Sequence, residues 1–328
     1  MTAFLETLEL AVLAVALFTA AAALASALVF PRLRGRLARV APSTRANLLL
    51  ALAAAPLLAG LLLTAASFLP GELGADGFVD HCDEHPGHVH LCLVHHPPLD
   101  QGIVGWGAVA LVTLVVGVAA ARQGRRLLRS ARAVAGLQRL ARTSSGTPGM
   151  NVIDADVPLS ATAGLVRPSV YLSSGFVRSV DAEVMDVVQA HERAHVRRHD
   201  PLRQVVATVL SLTHLAGTRT RLLQDLALAT EQACDEEAAR TLGDRVRVAR
   251  AVLAVEHLMS NVPVHPDLVA ASFGGSHVVD RVDALLADAP EGTLRGMSGW
   301  IAALVLALLV VGSMLHHGTE TLLNWLTR

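Results

Sequence analysis

Apolar residues gather in long runs toward both ends of this chain and fall into shorter periodic patterns between them. Four runs are long enough to cross a bilayer as helices, which takes about 20 residues. They cover residues 8–30, 47–69, 103–121 and 298–315. Between the third and fourth runs the pattern changes. RTSSGTPGMN, rich in Ser, Gly and Pro, reads as a linker. VPLSATAGLVRPSVYLSSGFV follows, with Val, Leu, Thr and Tyr runs broken by Gly164 and Pro168, and predicts two or three short strands. A helical period begins near Ala182, with Asp181 in position to cap it. The apolar segment 202–216 is too short to span a membrane and predicts a core helix rather than one lying on the inner leaflet. Another helical period carries LALATEQACDEEAAR.

Charge orients these runs. Between the first and second runs lie Arg32, Arg34, Arg36, Arg39 and Arg45 and no acid. After the third come Arg122, Arg125, Arg126, Arg129, Arg132, Arg139 and Arg142. Between the second and third lie Glu72, Asp76, Asp80, Asp83, Glu84 and Asp100 and no arginine. Arginine-rich loops stay on the cytoplasmic side. The pattern therefore predicts an outer N-terminus, an outer loop at 70–102, a cytoplasmic region from 122 to 297 and a short outer tail. The first run is not a cleavable leader: it has no basic start, contains Glu9 and is followed by PRLRGR.

Composition agrees. The chain is 52% hydrophobic and 17% charged, with a mean hydropathy of +0.48, which is too apolar for an ordinary soluble protein. Net charge is −1, so nothing global points to nucleic acid. The basic segment 122–142 adjoins a predicted span, where anionic lipid headgroups are its expected partners. The organisation expected is three spans in 1–121, a basic juxtamembrane segment and linker in 122–150, a cytoplasmic domain in 151–297 and a fourth span and outer tail in 298–328.

Candidate chemistry lies in the helical pattern VVQAHERAHVRRHD. His191 and His195 are four apart and share one helix face, so both imidazoles can reach one ion. Glu192 can point into the same cleft without binding the ion. This is HExxH, two zinc ligands and a general base. A catalytic zinc takes a third protein ligand and keeps one position for water. Glu231 is the expected third ligand, and Asp235, one turn on, can hydrogen-bond a ligand histidine. Cys234 differs in helical phase from Glu231 and reads as a small buried residue. Glu236 and Glu237 read as a solvated face. His199, His214, His257 and Tyr171 are candidate oxyanion donors.

HExxHxxxxD followed by ExxCD resembles the gluzincin-type integral-membrane metallopeptidases. Three spans, an HExxH domain and a fourth span resemble the BlaR/MecR sensor-transducers, antirepressors of β-lactam resistance. The resemblance implies a mainly α, polytopic membrane protein with four transmembrane helices and a cytoplasmic α+β gluzincin-type metallopeptidase domain, in a bacterial-type inner or plasma membrane. His191, His195 and Glu231 would bind one catalytic Zn2+, Glu192 would be the base, and Asp200 and Asp235 would support. The strands from Ser160 to Phe176 would form the edge on which a peptide substrate pairs. The implied activity is cytoplasmic peptide-bond hydrolysis, cleaving the protein itself or a protein substrate such as a winged-helix repressor. No lysine occurs, so no SxxK can serve a penicillin-binding sensor domain of the kind BlaR/MecR proteins carry. An HtpX-like quality-control protease shares the motif but places two spans on each side of it. A non-enzymatic metal receptor or transporter is the remaining alternative, and ionisable residues marking an ion path are missing from the spans.

The outer loop holds a second cluster, HCDEHPGHVHLCLVHH. Cys82 and Cys92 could close a disulfide there. His81, His85, His88, His90, His95 and His96 could offer imidazoles to a second metal, zinc or copper.

Overall fold

A computed structural model describes residues 2–68, 103–143, 150–260, 271–272 and 277–287. Helices dominate. Two of them, α1 (Thr2–Leu37) and α2 (Pro42–Phe68), form an antiparallel pair. Among the described residues these are the two helices found long and apolar enough to span a membrane, over Leu8–Leu37 and Pro42–Ala66. A Cβ on Gly60 would sit 2.1 Å from the Thr19 hydroxyl and 3.0 Å from the Val15 carbonyl oxygen. Only glycine permits so close an approach of α2 to α1.

The third apolar run opens α3 (Ile103–Leu140). That helix continues beyond the apolar run through the basic residues Arg122–Arg139. Leu111, Leu114, Val115 and Val116 are exposed on its apolar half. The outer loop at 70–102 and the run at 298–315 lie outside the described residues.

A sheet follows, built from β1 (Ala141–Thr143), β2 (Met150–Ile153), β3 (Ser160–Ala163), β4 (Ser169–Ser173) and β5 (Ala271–Ser272). Its order is β1-β2-β4-β3-β5. Only β2 and β4 run parallel. β3 and β4 are the strands expected from the sequence, but Phe176 belongs to the short helix α4 (Ser174–Ser179), not to a strand. β3 is also not the free edge anticipated: β4 pairs on one side of it and Ala271–Ser272 on the other.

Asp181 caps α5 (Ala182–Arg198), its carboxylate accepting from the Val184 N–H at 2.8 Å. His199 ends the helix in the left-handed region at φ 54°, a conformation histidine tolerates better than most side chains. Pro201 then opens α6 (Asp200–Leu210), so the chain turns a corner instead of extending α5. After a 3-10 turn, Ser211–Thr213, α7 (Ala216–Leu242) returns and ends on Gly243 at φ 73°. Two further helices are α8 (Arg245–Met259) and α9 (Val278–Leu286).

The two largest apolar cores among the described residues position the site. One joins the sheet, α4, α5 and α7–α9 through Val170, Leu172, Phe176, Val187, Val188, Ala238, Val248, Val252 and Leu285. The other joins α1 and α2 to α6 and α7, packing Phe30, Leu37, Leu49 and Ala53 against Ala207, Leu222 and Leu226. Helix α7, with 27 residues and a length of about 40 Å, belongs to both. The expected core helix at 202–216 is therefore only half covered. Ala207 is buried, while Leu202, Val206 and Val209 remain exposed.

Phe176 is fully buried and Val177 is exposed beside it. Phe176→Ala should cost about 3–5 kcal/mol in a thermal or denaturant melt, and Val177→Ala within about 0.5 kcal/mol. Equal effects would contradict this core.

Candidate metal centre

The site forms where α5 crosses α7. On α5, His191, Glu192 and His195 are all fully buried. The Nε2 atoms of His191 and His195 lie 3.1 Å apart. Glu231 on α7 reaches both, one oxygen 3.5 Å from His191 Nε2 and the other 3.5 Å from His195 Nε2. Zinc bonds of about 2.0–2.1 Å put tetrahedral ligand atoms roughly 3.3–3.4 Å apart. The two nitrogens and the Glu231 oxygen facing each of them have nearly that spacing, and one donor atom from each residue lies within 4.8 Å of the others, so the donor set fits a zinc ion. Glu231 is the least buried of the three, with 17% of its side chain exposed.

Each histidine is held from behind through its other nitrogen. His191 Nδ1 lies 2.9 Å from Asp235, and His195 Nδ1 lies 2.9 Å from Asp200. A carboxylate at Nδ1 fixes the proton there and turns Nε2 toward a metal. These carboxylates are themselves paired. The Arg281 guanidinium donates two bonds of 2.7 Å to Asp235 and lies 3.2 Å from Glu231. Arg198 donates to Asp200 at 3.1 Å. Burial opposes the charged form of Asp235, but Arg281 and His191 outweigh it and hold its pKa down at about 2. Glu231 is lowered in the same way, with Arg281 the main favourable partner against burial.

Glu192 points to the sheet. Its two oxygens accept from the Ser160 hydroxyl at 2.9 Å and the Thr162 hydroxyl at 2.6 Å. Ser160 and Thr162 are alternate residues of β3 and so share a face. Thr162 also lies 3.2 Å from the Glu192 carbonyl oxygen, tying strand to helix.

Cys234 is fully buried beside the centre, its sulfur 3.3 Å from His195 Nδ1 and 3.4 Å from Asp200. His195, Asp200 and Cys234 thus form a second grouping of metal-capable side chains. Burial, with Asp200 and Glu231 nearby, pushes the Cys234 thiol well above its usual pKa, which favours the protonated form.

Glu192 adjoins His191 on α5 with its carboxylate on β3, and the sequence-predicted residues His191, His195, Asp200, Glu231 and Asp235 come together in one cluster. The oxyanion candidates do not. Tyr171 sits in the sheet core with Ile153 and Ala163, His199 is exposed at the helix corner, and His257 is exposed on α8. His214 bonds the Leu52 carbonyl of α2. The outer-loop candidates lie outside the described residues. Sequence reasoning missed Ser160, Thr162, Arg198 and Arg281. Arg281 had a signal: with Val278, Val282 and Leu285 it occupies the i, i+3, i+4, i+7 stripe of an amphipathic helix. A charge on such a stripe is buried only when paired.

A sequence model of the BlaR1 peptidase M56 family matches residues 102–285. That stretch includes α3, the sheet and every residue of the centre. No curated protein matches the chain.

Burial opposes protonation of His191, but Asp235 and Glu231 overcome it and raise its pKa to about 9. Its unfolded value is about 6.5, so this contribution to stability is complete below that pH and is lost as pH rises through about 9. Chelator-treated protein should therefore melt at falling temperature from pH 6.5 to 9. Zinc-loaded protein, with a neutral ligand imidazole, should lack that slope. A chelated protein equally stable across the window would contradict this pairing.

Proposed function

The chain belongs to the BlaR1 peptidase M56 family, and on that footing we propose that it is a membrane-embedded zinc metalloendopeptidase working at the α5–α7 centre. The observation that carries the reading is the donor cluster of His191, His195 and Glu231, with the two Nε2 atoms 3.1 Å apart, a different Glu231 oxygen 3.5 Å from each, and a carboxylate behind each imidazole.

His191, His195 and Glu231 hold the metal in this reading. When bound, zinc supplies Lewis acidity and lowers the pKa of its water to about 7. Glu192 takes a proton from the attacking water and delivers it to the leaving amine nitrogen. Ser160 and Thr162 keep its carboxylate in one orientation through both steps, which lowers the cost of positioning the base. Asp235 and Asp200 keep the ligand imidazoles in one tautomer. Arg281 keeps Asp235 and Glu231 ionised, so the buried centre retains the negative charge that a dication needs.

The arginine-rich segments around 32–45 and 122–142 support a cytoplasmic placement of the centre. The family supports a transducing role, in which an outer event changes cleavage of the protein itself or of a repressor. The outer His/Cys loop is the natural receiver.

Glu192→Gln should lower cleavage of a peptide or protein substrate by about 10²–10⁴-fold while one zinc per chain is retained. Cleavage at the wild-type rate would remove Glu192 as the base. Loss of zinc with loss of cleavage would make Glu192 a ligand instead.

A further inference from the structure

Helix α6 and the turn after it do not behave as part of a water-facing domain. Leu202, Val206, Val209, Leu212 and Leu215 are 37–45% exposed and recur every three or four residues, forming one apolar stripe. In water such a stripe is unfavourable, and a contiguous apolar patch usually marks a contact surface.

The depth of this stripe is fixed by its polar contacts. Arg203 donates to Asn47 at 2.5 Å near the start of α2, and Arg34 pairs with Asp225 at 2.6 Å near the end of α1. Beyond these ties the hairpin goes deeper along the apolar pair. His214 lies 3.0 Å from the Leu52 carbonyl oxygen and 3.3 Å from the Ser26 hydroxyl. Ser26 and Leu52 are inside the two apolar spans. Five residues from Asn47 to Leu52 advance about 7 Å, and eight from Arg34 to Ser26 about 12 Å. At the depth of the tip, Leu24, Leu28 and Val29 of α1 are also exposed, so the apolar surface is continuous with that of the span.

A second observation is independent of hydrophobicity. The hydroxyls at the tip bond to carbonyls of their own turn. Thr208 donates to Gln204 at 2.7 Å, Ser211 to Thr208 at 3.2 Å, Thr213 to Leu210 at 3.1 Å and Thr220 to Ala216 at 3.0 Å. In a medium without water, polar groups have to be satisfied within the protein, as these are. No acid occurs between Leu202 and Arg221; Arg203 sits at the Asn47 end of the stripe, and Arg219 donates to the Ser211 hydroxyl at 3.3 Å, so it too is satisfied within the protein.

We propose that α6, the 3-10 turn and the start of α7 form a hairpin whose tip is inserted in the bilayer leaflet crossed by the Arg34 and Arg45 ends of α1 and α2. Its apolar stripe contacts acyl chains, and Arg203 lies at the headgroup end. Asp200, which holds His195, is the first residue of this hairpin, so the candidate metal centre is fixed against the membrane surface. The inference rests on α1 and α2 lying in a bilayer and is independent of the peptide chemistry.

Nitroxide labels test it in the full chain, zinc-loaded and reconstituted in nanodiscs of phosphatidylcholine and phosphatidylglycerol. Labels go at Val206→Cys and Val209→Cys in a Cys82→Ser, Cys92→Ser background, with exposed Arg240→Cys as the aqueous reference. A cooperative thermal melt matching that of the unlabelled chain checks that each variant has folded. The result expected is an oxygen-to-nickel-chelate collision ratio several-fold higher at 206 and 209 than at 240. Labels at 206 and 209 as open to the chelate as the one at 240 would overturn the insertion. Labels shielded from both oxygen and chelate would also overturn it, because the stripe would then be covered by protein. Loss of peptidase activity in Glu192→Gln protein would leave these ratios unchanged, so the two readings fail separately.

Discussion

Two fully buried imidazoles must have both ring nitrogens occupied, and this constraint organises the domain. His191 and His195 share one face of α5, and their Nε2 atoms converge. Their Nδ1 atoms therefore point away from each other and need separate acceptors. Asp235 comes from α7 and Asp200 from the first residue of α6. Each buried carboxylate then requires a cation, supplied by Arg281 on α9 and by Arg198 at the end of α5. Four helices are thus set by hydrogen bonds that begin on two rings. Removing one partner would leave a buried charge uncompensated, which is far costlier than losing a surface ion pair.

The same contacts link the centre to the apolar helices. Asp200 lies 3.6 Å from Arg203, which in turn donates to Asn47 of α2. Gln232, next to the candidate ligand Glu231, is bonded by Arg45 of α2 and donates to the Asp280 carbonyl beside Arg281. α7 carries Glu231 and Asp235 and also supplies Leu222 and Leu226 to the core shared with α1 and α2. A shift of the apolar pair would act directly on the helix that carries one candidate ligand. This is the physical basis on which a transducing peptidase could work.

What the sequence made legible was periodic or local. His191, Glu192 and His195 are visible because a helix fixes the geometry of residues four apart, and the Asp181 cap because it lies beside the helix it starts. Glu231 and Asp235 follow from the same four-residue spacing on a second helix. Partners recruited across the fold are harder to see. Ser160 and Thr162 lie 32 and 30 residues from Glu192, and Arg281 lies 46 from Asp235. Only tertiary packing brings them in. The segment 202–216 reads as one core helix for a related reason: periodicity shows an apolar stripe but not the break at Ser211 or how much of the stripe is covered. The corner at His199 had no glycine to announce it, and the two-residue strand β5 is too short to carry a pattern.

The central claim is one zinc ion held by two imidazoles and a carboxylate, with the neighbouring thiol outside its coordination. X-ray absorption at the zinc edge of the purified, zinc-loaded chain tests this most directly. The account predicts a single nitrogen and oxygen shell at about 2.0–2.1 Å with the outer-shell signature of two imidazoles and no sulfur. A sulfur scatterer at about 2.3 Å that persists in Cys82→Ser, Cys92→Ser protein would put Cys234 on the metal and contradict it.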